Sequence, residues 1–319
     1  MPDANIELPN LDFQREPSPP SGASRRPANP ARGIGFMVAA TLMFCLGDTL
    51  MKLSAAVLPT TETMFVRSLV AASVAAMAAA WTGSWRQWRK ALVGPMALRA
   101  TADAGTSLMF QSALGRMQFA DIMGINQLQT LSLTAGSALF LGEKVGWHRW
   151  SAVAVGLAGG LLIIKPGTSA FDWWALVAVG AVLLATTREI STRKIPVTVP
   201  IPVVMVISAS TVTLAALAGS LIQAWSVPGI RELAMLIGAG LFILTGQFCT
   251  ISAIRSAALS VVAPFRYAAM IWALLLGYGV WGHLPDTFSL LGFGIIAAAG
   301  IYTFHRERLL QIERNTLPG

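Results

Sequence analysis

The second half of this chain repeats the first half at an offset of 140 residues. Ser112-Ala113-Leu114 corresponds to Ser252-Ala253-Ile254, and Gly142 corresponds to Gly282. The apolar segments follow the same offset, five in each half. Because five is odd, a chain of helical hairpins places the second copy upside down in a bilayer. Inverted repeats of this kind surround a central site between two halves that can rock, which is the architecture of secondary transporters.

The composition is that of a membrane protein. Hydrophobic residues make up 55% of the 319 residues and charged residues only 12%, whereas soluble domains carry roughly 25% charged residues. A helix needs about 20 apolar residues to cross a bilayer. We therefore predict an all-α membrane protein with ten transmembrane helices in two inverted five-helix repeats. The predicted spans are 33–54, 62–81, 91–113, 118–141, 148–165, 172–190, 200–222, 232–254, 258–281 and 286–304.

Residues 1–30 differ in kind from the rest of the chain. They contain seven of the 17 prolines and almost no periodic apolar residues, which predicts a disordered cytoplasmic tail. A long polar lead precedes the first apolar run, so we do not expect a signal peptide. The first repeat is expected at 31–167, the second at 168–306, and a second cytoplasmic tail at 307–319.

The basic residues predict the orientation in the membrane. With both termini in the cytoplasm, 15 lysines and arginines lie on the inner side and three on the outer side, as the positive-inside rule requires. The pI near 10.2 does not indicate nucleic-acid binding, because the charges lie at segment ends and form no basic face. Together with the bias towards arginine, alanine and glycine, this predicts a multi-pass protein of a bacterial inner membrane.

Spans five and ten carry glycines where other spans carry polar side chains. The glycines are Gly156 and Gly160, spaced as GxxxG, and Gly292, Gly294 and Gly300. Small residues allow helices to approach closely in lipid. These glycines indicate either packing within the chain or a homodimer contact. The other eight spans share the ionisable and amide groups and are expected to enclose a cavity.

Three ionisable residues are expected near one another in the outer leaflet. Asp48 and Lys52 are four residues apart on the first span, in the order that favours a helical ion pair. Arg67 enters the second span from outside, at a similar depth. Charged groups inside a bilayer are costly and face partners or water. These three residues form either a gating network or a direct substrate contact.

A second set of charges lies on spans three and six. Arg99 and Asp103 are four residues apart near the middle of span three, so they either neutralise each other or place a carboxylate in the cavity. Arg188 and Glu189 end the sixth span, where a solvated helix end is one interpretation. For Arg188 the alternative is membership of the gating or ion-pair network, together with Lys52 and Arg99. Arg188 is the repeat counterpart of Asp48.

Amide side chains add candidates for substrate contact. Asn126, Gln127 and Gln129 project from span four in different directions, so at most two line one cavity. Gln247 is the corresponding candidate on the eighth span.

The segment Ala263-Pro264-Phe265-Arg266-Tyr267 is the most informative local feature. At the repeat offset, Pro264 lies opposite Gly124 and Arg266 lies opposite Asn126. Helix-weakening residues at matching positions of two inverted halves indicate a site near the membrane midplane. An unpaired arginine there would cost several kcal/mol. Arg266 should therefore meet either one of the two aspartates named above or the substrate.

Chemistry other than binding finds no support in the sequence. His148, His283 and His305 share no metal-ligand spacing, and no nucleophile elbow or phosphate-binding loop is present. We expect no enzyme activity, no metal and no cofactor. A lipid-acting enzyme would need converging nucleophile, base or metal ligands, and none is visible. A scaffold would not need buried charges on so many spans.

The chain resembles the drug/metabolite transporter superfamily, specifically its ten-span EamA-type carriers. The resemblance covers residues 33–306, and each motif is weak alone while their order is specific. Three motifs carry it: Phe65-Val66-Arg67, Gly142-Glu143-Lys144-Val145-Gly146 and Ile163-Ile164-Lys165-Pro166-Gly167. It implies a cavity lined by spans one to four and six to nine.

Three further motifs are most similar to alphaproteobacterial carriers for S-adenosylmethionine uptake, with riboflavin carriers as near relatives. They are Asp48-x-x-x-Lys52, Ala263-Pro264-Phe265-Arg266-Tyr267 and Gly282-His283-Leu284-Pro285-Asp286, where His283 replaces the usual glutamate. The resemblance implies uptake of such a metabolite, with export of amino acids or drugs as the alternative.

The chemistry of S-adenosylmethionine fits the candidate residues. Its carboxylate could meet Arg266 or Arg67, and its cationic groups could meet Asp48 or Asp103. Its adenine could stack on an aromatic side chain, for which the candidates are Phe265, Tyr267 and Trp272. Coupling is left open between proton symport through Asp48 or Asp103 and exchange.

Overall fold

The computed structural model describes residues 30–316 except 92–93, 142–146, 169–170, 197, 221–224 and 257–262. The predicted tail at 1–30, apart from its last residue, and the motif at 142–146 lie outside the described residues. The described residues form ten α-helices, two 3-10 helices at Ser84–Ala91 and Ala263–Tyr267, and no strand. The α-helices are α1 Pro30–Ala55, α2 Thr60–Trp81, α3 Gly94–Leu114, α4 Phe119–Leu141, α5 Trp147–Ile164, α6 Trp173–Arg193, α7 Ile201–Ser220, α8 Ile230–Ser256, α9 Ala268–Trp281 and α10 Thr287–Thr316.

The ten helices follow the ten predicted spans, and the all-α prediction is confirmed. By length and hydropathy, five of the described helices can cross a bilayer: Ala31–Ala55, Thr60–Trp81, Trp173–Thr192, Ile201–Ser220 and Ile230–Thr250. Three shorter apolar stretches, at Trp150–Ile164, Phe265–Trp281 and Thr287–Tyr302, continue the pattern. The chain is a multi-pass membrane protein. Helix α10 continues to Thr316, past the predicted end of the tenth span.

The two positions predicted to weaken their helices behave differently. Around Pro264 the backbone is a 3-10 helix, because proline has no N–H for an α-helical hydrogen bond. Helix α4, by contrast, is continuous through Gly124, so the prediction for that residue is wrong. Gly124 is buried, and a Cβ there would collide with the Phe293 ring and lie 3.1 Å from Ile163. Its role is close packing of α4 against α5 and α10.

The helix packing shows the repeat directly. Each helix of one repeat has its counterpart five helices further along the chain, with counting resumed at α1 after α10. By this rule the contact of α1 with α8 corresponds to the contact of α6 with α3, and both contacts are extensive. The same operation relates α4–α6 to α9–α1 and α3–α7 to α8–α2. It maps the pairs α2–α7, α4–α9 and α5–α10 onto themselves. The bundle therefore has the pseudo-twofold arrangement that two five-helix repeats predict.

A similar side-chain contact recurs in the two symmetry-related helix pairs, shifted by one residue, because Gly246 corresponds to Thr106 and not to Gly105 at the 140-residue offset. Phe44 of α1 fills the space over Gly246 of α8, where an added Cβ would lie 2.8 Å from the ring. Leu184 of α6, which is 140 residues after Phe44, fills the space over Gly105 of α3, where an added Cβ would also lie 2.8 Å away. Along both helix pairs the contacting residue numbers run in opposite directions, so each pair is antiparallel.

Helices α5 and α10 pack backbone to backbone at their glycines. A Cβ on Gly159 would lie 3.0 Å from the Gly292 carbonyl oxygen, and one on Gly292 would lie 2.5 Å from the Gly159 carbonyl oxygen. Gly156 and Gly160 face Leu131 and Leu128 of α4. These glycines are thus occupied by packing within the chain, which was the first of the two alternatives. The suggested homodimer through these glycines gains no support.

Candidate functional site

The charges of α3 and α6 meet between the two halves. Arg188 Nη1 donates to Asp103 Oδ1 at 2.8 Å, and the two side chains are 28% and 17% exposed. Arg99 donates from Nε to Thr192 Oγ1 at 2.9 Å and also contacts Ser208 Oγ. Asp103 therefore pairs with a residue of the other half, rather than with Arg99 on its own helix. Its charge still acts on Arg99.

Arg67 extends this set of charges towards α1. The charges of Asp48 and Asp103 both act on Arg67, so three helices contribute to one network. The predicted ion pair of Asp48 with Lys52 is not present among the described contacts. Lys52 Nζ instead donates to the Leu114 carbonyl at 2.7 Å and to the Met117 carbonyl. A cation at the C-terminus of a helix satisfies carbonyls that have no partner within the helix, and Lys52 does this for α3.

The network ends at Glu189 and Arg266. Gln129 Nε2 of α4 donates to Glu189 Oε1 at 2.8 Å. Arg266 Nη2 lies 3.8 Å from the same oxygen, and the two side chains are 36% and 29% exposed. Gln127 Nε2 donates to the Arg266 carbonyl at 3.5 Å. Glu189 is thus the protein carboxylate nearest to Arg266, rather than Asp103 or Asp48.

Sequence reasoning gave Glu189 only as part of a helix end. The sequence signal for a role of Glu189 in the site was its position directly after Arg188. Adjacent residues on a helix project about 100° apart, so the two side chains can contact two different neighbouring helices. Arg188 faces α3, and Glu189 faces α4 and Arg266. Neither residue is a fully solvated helix end.

The remaining candidates occupy different surroundings. Phe265 is exposed, Asn126 is partly buried, and Gln247 is exposed on α8. Tyr267 is buried, with its ring against Gly300 of α10. Trp272 buries its indole N–H without a hydrogen-bond partner among the described residues. Of these five, Phe265 and Tyr267 belong to the same 3-10 helix as Arg266, and of these two only Phe265 is exposed.

The charges break the pseudo-symmetry of the bundle. At the repeat offset, Asp103 corresponds to Ile243 and Glu189 to Thr49, whose hydroxyl is satisfied by the Cys45 carbonyl at 2.8 Å. Arg266 corresponds to Asn126. At these three positions the same helix packing forms with neutral side chains on the other side of the pseudo-twofold axis, whereas Arg188 has the charged counterpart Asp48.

Several contacts join neighbouring elements at the opposite end of the bundle, where α1 and α9 end. Trp281 stacks on Phe119 with ring centroids 5.4 Å apart, and Lys52 Nζ lies 5.7 Å from the Trp281 ring centre. The Glu62 carboxylate accepts hydrogen bonds from the Ser226 N–H at 3.1 Å and hydroxyl at 3.3 Å. These contacts join α1, α4 and α9 to one another and α2 to the connection before α8, while Arg266 and Glu189 are partly exposed near the other end.

Lys165 and Asp286 form an ion pair between the ends of α5 and α10. Asp286 also caps α10 by accepting a hydrogen bond from the Ser289 N–H at 2.8 Å. The hydrogen bond from Lys165 lowers the pKa of Asp286 below its ordinary value of 3.8, and the capping hydrogen bond adds to this. Lys165 itself lies in the left-handed region with φ 52°.

The described residues contain no group of three or more histidine, cysteine, aspartate or glutamate side chains that could hold a metal ion. The arrangement consists of arginines, carboxylates and amides at a helix interface, which are groups that bind a polar ligand.

Comparisons with known proteins agree with this picture. Residues 31–165 match the EamA-like transporter family. The chain is 32% identical over 181 residues to a riboflavin transporter of Vibrio cholerae. It is 26% identical over 175 residues to an S-adenosylmethionine uptake transporter of Rickettsia prowazekii. These matches cover 54% of the chain and only 59% and 58% of those two relatives.

A longer match reaches a protein with the opposite direction of transport. The chain is 25% identical over 276 residues to the pseudopaline exporter CntI of Pseudomonas aeruginosa, covering 84% of the chain and 94% of the exporter. A crystal structure with 18% sequence identity superposes with a TM-score of 0.61, covering 88% of this chain and 99% of that one. This last likeness shows the fold alone.

Proposed function

We propose that the whole chain is a secondary active carrier working by alternating access, because residues 31–165 match the EamA-like transporter family. It moves a small organic metabolite across a bacterial inner membrane, with both termini in the cytoplasm. The preferred substrates are S-adenosylmethionine, riboflavin or a similar metabolite, taken up by the cell. Relatives carrying those names support the substrate class.

One observation supports the carrier proposal above the others. Side chains from both halves meet within the bundle, with Asp103 bonded to Arg188 and Gln129 bonded to Glu189. Charges between helices in a membrane mark substrate or ion pathways. A site at the interface of two repeats becomes accessible from either side when the repeats rock against each other. The contacts between elements at the α1 C-terminal end, together with the partial exposure of Arg266 and Glu189 near the other end, favour a form with access from that other end.

Export is the second candidate function. It is favoured by the exporter CntI, whose match spans most of both chains. Proteoliposomes loaded on one side and assayed in both directions distinguish the two, and adding a proton ionophore separates proton-coupled symport from exchange.

The site assignment is tested by Arg266→Ala in proteoliposomes with radiolabelled S-adenosylmethionine or riboflavin. We expect transport to fall to background while expression and folding persist. Arg231→Ala is the matched control, because Arg231 is exposed at the start of α8. Transport that survives Arg266→Ala at the wild-type rate would contradict the assignment.

A further inference from the structure

The charged side chains that face one another across α1, α2, α3, α6 and the 3-10 helix form what we call the charged cluster. Its members are Arg67, Arg99, Arg188, Arg266, Asp48, Asp103 and Glu189. The cluster contains four arginines and three carboxylic acids, so at most three of the arginines can each have a carboxylate of their own. An uncompensated charge inside a membrane protein is costly, and an anionic group on a ligand would serve the remaining arginine.

The contacts within the cluster show where that charge belongs. Arg188 is bonded to Asp103 at 2.8 Å, and Arg99 donates to hydroxyls of Thr192 and Ser208. Arg266, by contrast, lies 3.8 Å from its nearest carboxylate oxygen, beyond hydrogen-bond distance. A guanidinium has five N–H donors in a planar fork that matches a carboxylate. Arg266 therefore has donors to offer a ligand.

Glu189 occupies the position that such a ligand group would take. Its oxygen Oε1 is held by Gln129 at 2.8 Å and only approaches Arg266. Because Gln129 supplies a hydrogen bond independently of Arg266, Glu189 keeps a partner when Arg266 turns to a ligand. Both side chains are about one third exposed, so the site between them is accessible.

The packing of the fold does not explain these charges. The repeat counterparts of Glu189, Gln129 and Arg266 are Thr49, Ala269 and Asn126, and the symmetry-related helices pack with those neutral residues. A role in binding accounts for the difference, whereas a purely structural role would require similar charges in both halves.

We propose that the ligand binds through a carboxylate on Arg266, and that Glu189 is the protein's own anion that this carboxylate displaces. The inference rests on the proposed carrier function. A ligand carboxylate replaces the Glu189 carboxylate beside Arg266 charge for charge, whereas a phosphate near neutral pH would bring additional negative charge. The stronger the interaction of Glu189 with Arg266, the lower the affinity for the ligand carboxylate. Glu189 returns to Arg266 when the substrate leaves.

The test uses the purified full chain in detergent, with binding followed by thermal stabilisation and calorimetry. The probes are matched pairs that differ in one anionic group: S-adenosylmethionine with its decarboxylated form, methionine with its decarboxylated amine, and FMN with riboflavin. We expect at least one carboxylate probe to stabilise the protein, with at least tenfold weaker binding of its decarboxylated partner. The affinity difference between FMN and riboflavin should be smaller than the affinity difference between a carboxylate probe and its decarboxylated form.

Variants separate displacement from direct contact. Glu189→Gln keeps a hydrogen-bond acceptor for Gln129 but removes the negative charge. It should increase the binding affinity of the carboxylate probe several-fold. Arg266→Gln should abolish the preference for the carboxylate, and Arg266→Lys should restore part of it. Asp172→Asn, which removes a charge from the other end of α6, is the control and should change neither affinity.

Three results would overturn the proposal. They are equal binding of both members of every pair, weaker carboxylate binding in Glu189→Gln, and no stabilisation by any carboxylate probe in wild type and Glu189→Gln alike. Transport of riboflavin without any carboxylate preference would reject this inference while leaving the carrier function intact. If the protein transports none of the substrates but still binds the carboxylate probes with the expected preference, the carrier function is rejected and the binding inference survives.

Discussion

Asp103 and Arg188 form an ion pair of 2.8 Å between the two halves, and each also faces further charges. Asp103→Asn would leave Arg188, Arg99 and Arg67 without their shared carboxylate. A hydrogen bond to a charged group contributes about 1.5–3 kcal/mol to stability, and we expect a loss of that size. The measurement is chemical unfolding of the purified protein in detergent.

A double-mutant cycle gives this prediction its control. If the pair acts as a unit, Arg188→Gln combined with Asp103→Asn should cost less than the sum of the single changes. Strictly additive losses would show that the two side chains act independently, in disagreement with their 2.8 Å contact.

A second prediction at this scale concerns pH, since Asp286 lies in the connection before α10. Its pKa is lowered in the folded protein, chiefly by Lys165. The ion pair therefore contributes fully above about pH 5, and its contribution is lost as the pH falls through 3.8 and below. The effect should be under about 1 kcal/mol, because the pair is largely solvated.

Melting temperatures between pH 7 and 3 should thus fall more steeply in wild type than in Asp286→Asn. Asparagine still caps a helix, so this variant removes only the ion pair. Asp172→Asn, at the cap of α6, should keep the wild-type slope. Identical slopes for wild type and Asp286→Asn would exclude the proposed role of Lys165.

Single residues also show what a sequence can predict about such a site. Arg266 was predicted to need a carboxylate, and the structure places one nearby, because a charge in a membrane helix must be compensated. The identity of that carboxylate depends on the angle at which α6 faces α4 and on the 3-10 geometry before α9. Neither can be read from linear spacing, which instead suggested pairs on one helix, Asp48 with Lys52 and Arg99 with Asp103.

At the scale of elements, the packing of α5 against α10 is the tightest backbone contact described above. An alanine at Gly292 would place its Cβ 2.5 Å from the Gly159 carbonyl oxygen, a backbone atom that cannot turn away. Overpacking of this kind costs about 1–3 kcal/mol. We expect Gly292→Ala to lower the melting temperature and the yield of folded protein.

Gly294 on the same helix gives the matched control. A Cβ there meets nothing within 4 Å, and alanine has a higher helix propensity than glycine. Gly294→Ala should be neutral or slightly stabilising. An equal loss in both variants would indicate that α10 responds to propensity and not to its contact with α5.

Helices were easier to predict than their interruptions. The apolar run lengths gave all ten helices, since a bilayer fixes the length of a spanning helix. Pro264 and Gly124 looked equivalent at the repeat offset, yet only Pro264 lies in 3-10 backbone, while Gly124 lies within a continuous α-helix. Proline acts through its own missing N–H, whereas the effect of a glycine depends on what packs against it, here Phe293.

For the whole molecule, rocking of two halves requires some contacts between them to separate and others to persist. The α5–α10 contact is backbone against backbone and leaves no room for sliding. The contact of Glu62 with Ser226 is different, because it joins the start of α2 to a non-helical connection through one carboxylate. We therefore expect the second contact to open during transport and the first to stay closed.

Cross-linking distinguishes these two contacts. In a Cys45→Ala/Cys249→Ala background, which removes both native thiols, cysteines at 62 and 226 joined by a short reducible linker should stop transport until the linker is reduced. Cysteines at 165 and 286, joined in the same way across the ends of α5 and α10, should leave transport largely unchanged. The two pairs lie at the same end of the bundle, so a nonspecific effect of the linker would stop both. Inhibition by the second pair alone would place the moving interface at α5–α10, and the halves would then have to rock about the α2–α7 contact.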